Sequence, residues 1–585
     1  MNAKTEIRGK QRSKLIETNF QIPAVLDFTL SDQWLTSFLD IEIDQLQANI
    51  AHIVEANAES NTDSNSDSNT APQAWLARIL LCTQQLLQLC RLPAFDSPAI
   101  MRYAPINPER TKWQALVALP LVEHIPTKLY QMSISAAIET CNKFTRTEFN
   151  DENARLIFGR LRESFITPLR MQLKVGKSSF PVLRKAYARD IPFMHLSTGI
   201  YQLGWGSRAR RLDRSSTDQD SAIGARLSHS KTAIAQILLS AGLPAANHLK
   251  IKRQQELADA CRHLGWPLVI KPNDREGGVG VSVNIHDDAS ALRAFELAQQ
   301  QSQSGEILVE KQVNGVCHRL FILGDQLLYA VKRWPISVKG DGVKTVHELI
   351  EQAQADQQNS PVWNAPPFPS LDAIALESIQ NAGYQPDSIL EFNCIVPLRP
   401  IESTEWGGID EDVSLSIHPE NTRIAILAAR LFGLEVAGVD IISADITQPW
   451  YSNQAILNEI NYSPLLGGGE ISLRHIDTYL DYLLQDNGRI PVCLFVGDLH
   501  AHKAAQECWQ QYLSEGFRAY FADAEQTLDP AGNLMYMPLH SASERAMALC
   551  YNPIVDAIVI VLSRDEYVAG RAPLGAFVSV QFIDD

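Results

Sequence analysis

The segment Ala455-Ile-Leu-Asn-Glu-Ile-Asn461 sets a carboxylate and an amide two residues apart inside an apolar run. Read as a strand, it alternates its faces, so Glu459 and Asn461 share one side while Ile456 and Ile460 turn into apolar packing. Upstream, Val436-Ala-Gly-Val-Asp-Ile-Ile442 reads as a second apolar strand with a lone acid, and Asp440 becomes a candidate third oxygen ligand. Hard oxygen donors of this kind suit magnesium bound together with a nucleotide's phosphates. Acids near strand ends are common, and for these segments alone a structural salt bridge at Glu459 is an equally ordinary reading.

The rest of the chain supplies what such a site would need. Trp266-Pro-Leu-Val-Ile-Lys-Pro272 predicts a strand ending in Lys271, and Asp274-Arg-Glu-Gly-Gly-Val-Gly-Val-Ser282 follows as a loop. Gly277, Gly278 and Gly280 would let backbone N–H groups come close to phosphates. Turns of this composition are common, and the lysine just before the loop is what raises its weight. Lys231 heads a short predicted helix with Ile234, Ile237, Leu238 and Ala241 on one face, stopped by Gly242 and Pro244. A second helix is expected over 288–300, then the strand Glu306-Ile-Leu-Val-Glu-Lys311, then a hairpin from His318 to Arg333 around Gly324-Asp325. Arg319, Lys332 and Arg333 put cations on that hairpin. One alone reads as a solvated edge charge; three together with a phosphate loop and three oxygen ligands do not. Residues 352–369, rich in Gln, Asn and Pro, read as a loop.

At 585 residues the chain is too long for one core, and domain sizes suggest roughly three or four units. Hydrophobic content of 45% with 20% charged residues is that of an ordinary soluble protein. A formal charge of -16 argues against non-specific binding to nucleic acid or to an anionic membrane. Residues 1–14 are polar and basic with no apolar run behind them, and no later segment reaches spanning length, so a cytoplasmic protein is expected. Nine cysteines, at 82, 90, 141, 261, 317, 394, 493, 508 and 550, form no C-x-x-C pair and suggest reduced core residues. The Ser/Asn/Asp run over 59–73 reads as a mobile loop, and Ala74 to Leu92 as an amphipathic helix.

The order of these elements resembles the ATP-grasp superfamily, and more narrowly the central module of cyanophycin synthetases. The likeness rests on Tyr201-Gln-Leu-Gly-Trp-Gly206 with Arg210-Arg211, Lys231, Val269-Ile-Lys-Pro272 with Gly278 and Gly280, Val309-Glu310, and His318-Arg319. It continues through Arg333-x-Pro335, Gly340-Asp-Gly342 with Thr345 and Glu348-Leu-Ile350, Gly407-Gly408, Ile417-His-Pro-Glu-Asn421, Gly438-x-Asp440 and Glu459-x-Asn461, over roughly 190–485. The resemblance implies an α/β (α+β) fold in three parts: an N-terminal mixed α/β domain (1–195), an ATP-grasp domain (196–485) and a C-terminal α/β remnant (486–585) similar to a truncated Mur ligase. It also implies ATP with two magnesium ions. Lys231 and Lys271 would hold the α- and β-phosphates, the loop with Gly277, Gly278 and Gly280 would cover the phosphates, and Glu310 would sit beside adenine or ribose. Asp440, Glu459 and Asn461 would bind the metal, while Arg319 and Arg333 would stabilise charge as a phosphoryl group moves onto a carboxylate.

Departures fall on the substrate side. Cys317 stands where the family has Asp, Ser403 where it has Asn, and Ser463-Pro-Leu465 replaces Ala-Pro-Gly; Glu402, Glu405 and Trp406 signal a changed acceptor. In the C-terminal part, Arg489-Ile-Pro-Val-Cys-Leu-Phe-Val-Gly-Asp-Leu-His-Ala-His-Lys503 keeps the strand that leads into a P-loop, but His500 replaces its glycine, Ala501 its lysine and His502 its hydroxyl residue. The chain stops at Asp585, and residues 486–585 are expected to be non-catalytic; His500-x-His502, in a turn without a nearby acid, makes a poor metal site. One working module resembles the truncated cyanophycin synthetases that polymerise ready-made β-aspartyl-arginine dipeptides. The expected partners are a peptide or amino-acid substrate, a cyanophycin polymer held by the N-terminal domain, and further copies of the chain in a homo-oligomer. The alternatives are a ligase that makes a short peptide from free amino acids, or a non-catalytic nucleotide-binding partner of a full-length synthetase.

Overall fold

Period-two apolar patterns between residues 248 and 462 build two antiparallel sheets, and the helical periods between them supply the layers that cover each sheet on one face. The computed structural model describes residues 5–8, 11–24, 26–58, 71–275, 277–359, 368–401, 408–567 and 577–583. They fall into two units, Met1–Arg214 with Leu466–Gly468 and Ile476–Asp585, and Ser215–Leu465 with Gly469–His475. Against the expected boundaries at 195/196 and 485/486, residues 1–195 and 486–585 share one unit, and 196–214 belong with them.

In the second unit, helix α1 (Lys231–Ser240) precedes a four-stranded antiparallel sheet of β1 (His248–Ile251), β2 (Leu268–Pro272), β3 (Ser282–Ile285) and β4 (Ile307–Lys311), ordered β3-β2-β4-β1. Helices α2 (Leu257–Leu264) and α3 (Asp288–Gln301) cover one face, where Leu268, Ile270, Ile307 and Val309 meet Leu257, Ala291 and Phe295. The other face is left for Lys271 and Glu310, as alternation along β2 and β4 requires.

The larger sheet is ordered β9-β6-β5-β10-β11, all antiparallel, from β5 (Val316–Leu323), β6 (Gln326–Pro335), β9 (Gly408–Asp412), β10 (Val436–Ser443) and β11 (Ile456–Tyr462). Between β6 and β9 lies a small subdomain of β7 (Ser337–Lys339), α4 (Val346–Asn359), α5 (Ala373–Asn381) and β8 (Ile395–Pro397). Ile234 and Leu238 from α1, with Ile424, Ala425 and Ala428 from α6 (Pro419–Leu431), bury one face of the larger sheet against Leu320, Ile322, Ala330, Val439, Ile441 and Ile460. Each such fully buried aliphatic side chain stabilises by about 1.5–3 kcal/mol, so the helix-covered face fixes which side of every strand turns outward.

Three expectations are corrected. Residues 352–359 belong to helix α4 and are not loop. Gln, which gives Glu351–Gln358 its polar look, and Ala are good helix formers, and Thr345 with Glu348 forms a reciprocal cap at the helix start. The run expected to be mobile over 59–73 ends earlier, because a helix spans Ala71–Leu89 and the buried Gln73 donates to the Val54 carbonyl; 59–70 lie outside the described residues. Strict alternation fails in β11. The register slips between Asp440 and Ile441, so Glu459 opposes Asp440 while Leu457 opposes Ile441. Leu457 therefore joins Ile460 in the helix-covered core, and Ile456, opposite Ile442, is buried on the other face.

In the first unit, an N-terminal sheet of Thr5–Arg8, Gln11–Gln21, Lys112–Pro120 and Ala99–Pro105 is accompanied by helices Phe28–Leu39, Ile43–Ala58, Ala71–Leu89 and Thr127–Phe144. The C-terminal part has parallel strands Ala519–Ala522, Ala557–Leu562, Val492–Val496 and Ser579–Phe582, with Leu499–Ser514 packed on one face and Ala542–Tyr551 on the other. Tyr201 to Gly206 is a structural joint of this unit. A Cβ at Gly204 would lie 2.6 Å from the Gly488 carbonyl oxygen, and one at Gly206 2.3 Å from that of Val555. Among the described residues no helix is long and apolar enough to cross a membrane.

Candidate active site

Backbone register, more than sequence proximity, assembles the charged groups. Arg319 on β5 is the direct cross-strand partner of Asp440 on β10, and Asp440 is the direct partner of Glu459 on β11. The three form one row across three strands on the face away from α1 and α6. Arg319 grips Asp440 bidentately, Nε to Oδ1 at 2.7 Å and Nη2 to Oδ2 at 2.6 Å, and Asp440 is 3% exposed. Burial works against the guanidinium's charge, but the Asp440 carboxylate outweighs it and raises Arg319 above the ordinary arginine range. Asn461 lies opposite Gly438 and turns its Nδ2 toward the Gly438 carbonyl at 3.3 Å and Asp440 Oδ2 at 3.4 Å.

Lys231 reaches this row from α1. Its Nζ donates to Glu459 Oε1 at 3.0 Å, and Ser230 caps the helix by accepting from the Ala233 N–H. Arg333 on β6 is paired across the sheet with Cys317 on one side and Asp410 on the other, one row further along the same face. On the smaller sheet, Lys271 Nζ lies 2.6 Å from Glu310 Oε2, and Val269 opposite Glu310 makes the two charged residues diagonal neighbours on one face. Gly277, Gly278 and Gly280 all have positive φ, of 69°, 80° and 72°. A Cβ at Gly280 would come within 2.9 Å of the Pro272 side chain, so this loop needs glycine both for its turn and for its packing on the strand that carries Lys271.

Every expected site residue lies in the second unit: Lys231, Lys271, Gly277, Gly278, Gly280, Glu310, Arg319, Arg333, Asp440, Glu459 and Asn461. Glu402, Glu405, Trp406 and Ser403 lie outside the described residues. Several neighbours had no sequence signal. Asp410 and Asp412 on β9 share the face of Arg333 and Arg319, and Arg474 reaches Asp412 at 3.5 Å. Tyr329 stacks between Phe321 and His475, with ring centroids 5.1 and 5.0 Å away, and burial pushes the His475 pKa down. Only the order of strands shows that these residues border the charged row.

Among the described residues, no group of three or more His, Cys, Asp or Glu side chains forms a self-sufficient metal site. Asp440 and Glu459 with the Asn461 amide give a hard donor set on adjacent strands, and it fits magnesium arriving with phosphate oxygens of its own. In the C-terminal part, Ala501 is fully buried and a Cβ at Gly497 would meet the Ile583 carbonyl oxygen at 2.4 Å. His500 and His502 lie in the first turn of a helix, not in a free turn, and His502 Nε2 is 3.3 Å from Asp523, an acid the sequence did not place nearby. Two residues apart on a helix, the histidines point away from each other.

Residues 230–326 match the profile of the carbamoyl-phosphate synthase L chain, ATP binding domain. A cyanophycin synthetase from Synechocystis sp. is 31% identical over 293 residues, 50% of this chain and 34% of that protein. A glutathione biosynthesis bifunctional protein from Mannheimia succiniciproducens is 29% identical over 261 residues, 43% of this chain and 34% of that protein. The crystal structure of a bifunctional glutathione synthetase from Pasteurella multocida aligns with 78% of this chain and 76% of its own, at 16% identity and a TM-score of 0.41. The profile match makes residues 230–326, which carry Lys231, Lys271, the glycine loop, Glu310 and Arg319, similar to an ATP-binding domain. Over about half its length the chain is similar to cyanophycin synthetases. Its match spans about a third of the length of the curated relatives.

Proposed function

We propose that the second unit is an ATP-dependent carboxylate–amine ligase that adds ready-made β-aspartyl-arginine dipeptides to a cyanophycin-type polymer. The observation that carries the reading is the row Arg319–Asp440–Glu459 with Lys231 on its end, in a chain about 30% identical to cyanophycin synthetases over half its length. Lys231 and Lys271 hold the α- and β-phosphates, the Gly277–Gly280 loop closes over them, and Glu310 faces adenine or ribose. Magnesium, held by Asp440, Glu459 and Asn461, would screen the triphosphate from the substrate carboxylate. Arg319 gives its Nε/Nη2 edge to Asp440, and in this reading its positive charge, with that of Arg333, would stabilise the phosphoryl group in transfer. A carboxylate is a poor electrophile and repels ATP, so these cations must neutralise both before phosphoryl transfer makes an acyl phosphate. The amine of the next dipeptide attacks that carbonyl, and phosphate leaves as the amide forms.

In this reading residues 486–585 contribute no second ATP site, because a buried Ala501 stands where a P-loop lysine would project. The glutathione-biosynthesis relative at 29% identity favours a second reading, a ligase joining free amino acids. ADP release separates them. Release with dipeptide and polymer primer supports polymerisation, release with free amino acids supports the short ligase, and no release with any acceptor leaves a nucleotide-binding partner subunit. The product's mass spectrum identifies the bond made.

A further inference from the structure

Three of the expected cations are already paired with a carboxylate of the same site. Lys231 holds Glu459 at 3.0 Å, Lys271 holds Glu310 at 2.6 Å, and Arg319 holds both oxygens of Asp440. Resting on the ligase reading above, we propose that Lys231 closes the divalent-cation site by holding Glu459, so that a divalent cation binds weakly until a triphosphate draws the lysine away.

The argument is one of charge and of partner exchange. A cation approaching Glu459 meets an ammonium group already bonded to its ligand oxygen, in a site where Lys231 and Glu459 are only 20% and 27% exposed. Like-charge repulsion is several-fold stronger there than in water. Asp440 is committed as well, with both oxygens on Arg319, and Asn461 is held in place by its Nδ2, which donates to the Gly438 carbonyl and to Asp440. Lys231 is also the first residue of α1, the end of a helix where a positive charge is disfavoured and an anion is welcome. Glu459 offsets that cost, and a phosphate would offset it equally well. When the lysine passes from carboxylate to phosphate, Glu459 is released to the cation, and each charge still ends beside an opposite one. Nucleotide and cation therefore bind with positive coupling, and the coupling is reciprocal. Removing the lysine must then strengthen cation binding without nucleotide, a result that a merely structural salt bridge does not give.

The test titrates Mn2+ into the full chain and follows the free ion by electron paramagnetic resonance. Without nucleotide, Lys231→Gln and Lys231→Met should bind Mn2+ about tenfold or more tightly than the wild type, while Lys231→Arg, which keeps the charge, should match the wild type. A non-hydrolysable ATP analogue should tighten Mn2+ binding strongly in the wild type and much less in Lys231→Gln. If Lys231→Gln and Lys231→Met bind Mn2+ no better than the wild type while Glu459→Gln still weakens analogue-dependent binding, the closing role is overturned and the cation site stands. If Glu459→Gln leaves analogue-dependent Mn2+ binding unchanged, the cation site itself is misassigned and the closing role falls with it.

Discussion

Arg319 pairs with Asp440 and, in the proposed ligase, also faces the phosphoryl group, and its replacement separates the two roles. Arg319→Ala leaves Asp440, 3% exposed, without its counter-charge, and should destabilise the protein by about 3–5 kcal/mol, measured by thermal or urea unfolding. Arg319→Lys keeps the charge but cannot form the two-pronged contact. It should fold with a smaller loss and lower the rate of ADP release by about 100-fold or more. The sequence made Glu459 and Asn461 legible, because two residues in one strand share a face. It could not show that Arg319 lies beside Asp440, about 120 residues away, because cross-strand register is a property of the folded sheet. For the same reason Lys271 and Glu310 were each nominated, but their pairing was not. Asp410, Arg474 and His475 gave no periodic or motif signal at all.

At the scale of the element, β10 shows why one glycine belongs in a sheet. A Cβ at Gly438 would lie 2.9 Å from Pro464 Cβ and 3.6 Å from Arg319 Cδ, so the loop after β11 rests on a bare stretch of strand. Gly438→Val should cost about 1–3 kcal/mol in unfolding experiments and lower ADP release, since the displaced loop sits against the row. Hairpins and helices with strong periods were readable. The turn at Gly324-Asp325, the helix from Lys231 and the strand ending in Lys271 lie where spacing put them. The misreadings have local causes. A Gln-rich sequence resembles a loop in polarity and a helix in propensity, and propensity with the Thr345–Glu348 cap decides for the helix in α4. The register slip in β11 leaves no mark in the sequence, because Ile456 and Leu457 are equally apolar.

For the whole molecule, one nucleotide per chain is expected. Isothermal titration should give a stoichiometry near one with ATP analogue and Mg2+, and Lys271→Ala should reduce all of the binding rather than part of it. Acid stability of the first unit should carry the signature of Asp556, which Arg518 grips at 2.7 and 2.9 Å. That hydrogen-bonded pairing outweighs burial and holds the Asp556 pKa at about 2, below the unfolded value of about 4. The stabilisation, about 1 kcal/mol after allowing for the exposure of Arg518, is therefore complete above pH ~4 and is lost as pH falls toward 2. The Tm difference between wild type and Asp556→Asn should be present at pH 7 and close over that range. The row Arg319–Asp440–Glu459 also bears on how such a protein can change. Its spacings are steps between neighbouring strands, each about 4.8 Å and set by the backbone ladder. Lengthening the Gly324-Asp325 turn should leave those steps intact and activity near normal, whereas deleting one residue within β10 should turn its acid to the helix side and abolish activity. Insertions at the strand ends can thus alter which molecules reach the row without altering the row, so in the proposed ligase substrate range would drift across generations while the phosphate chemistry stayed in register.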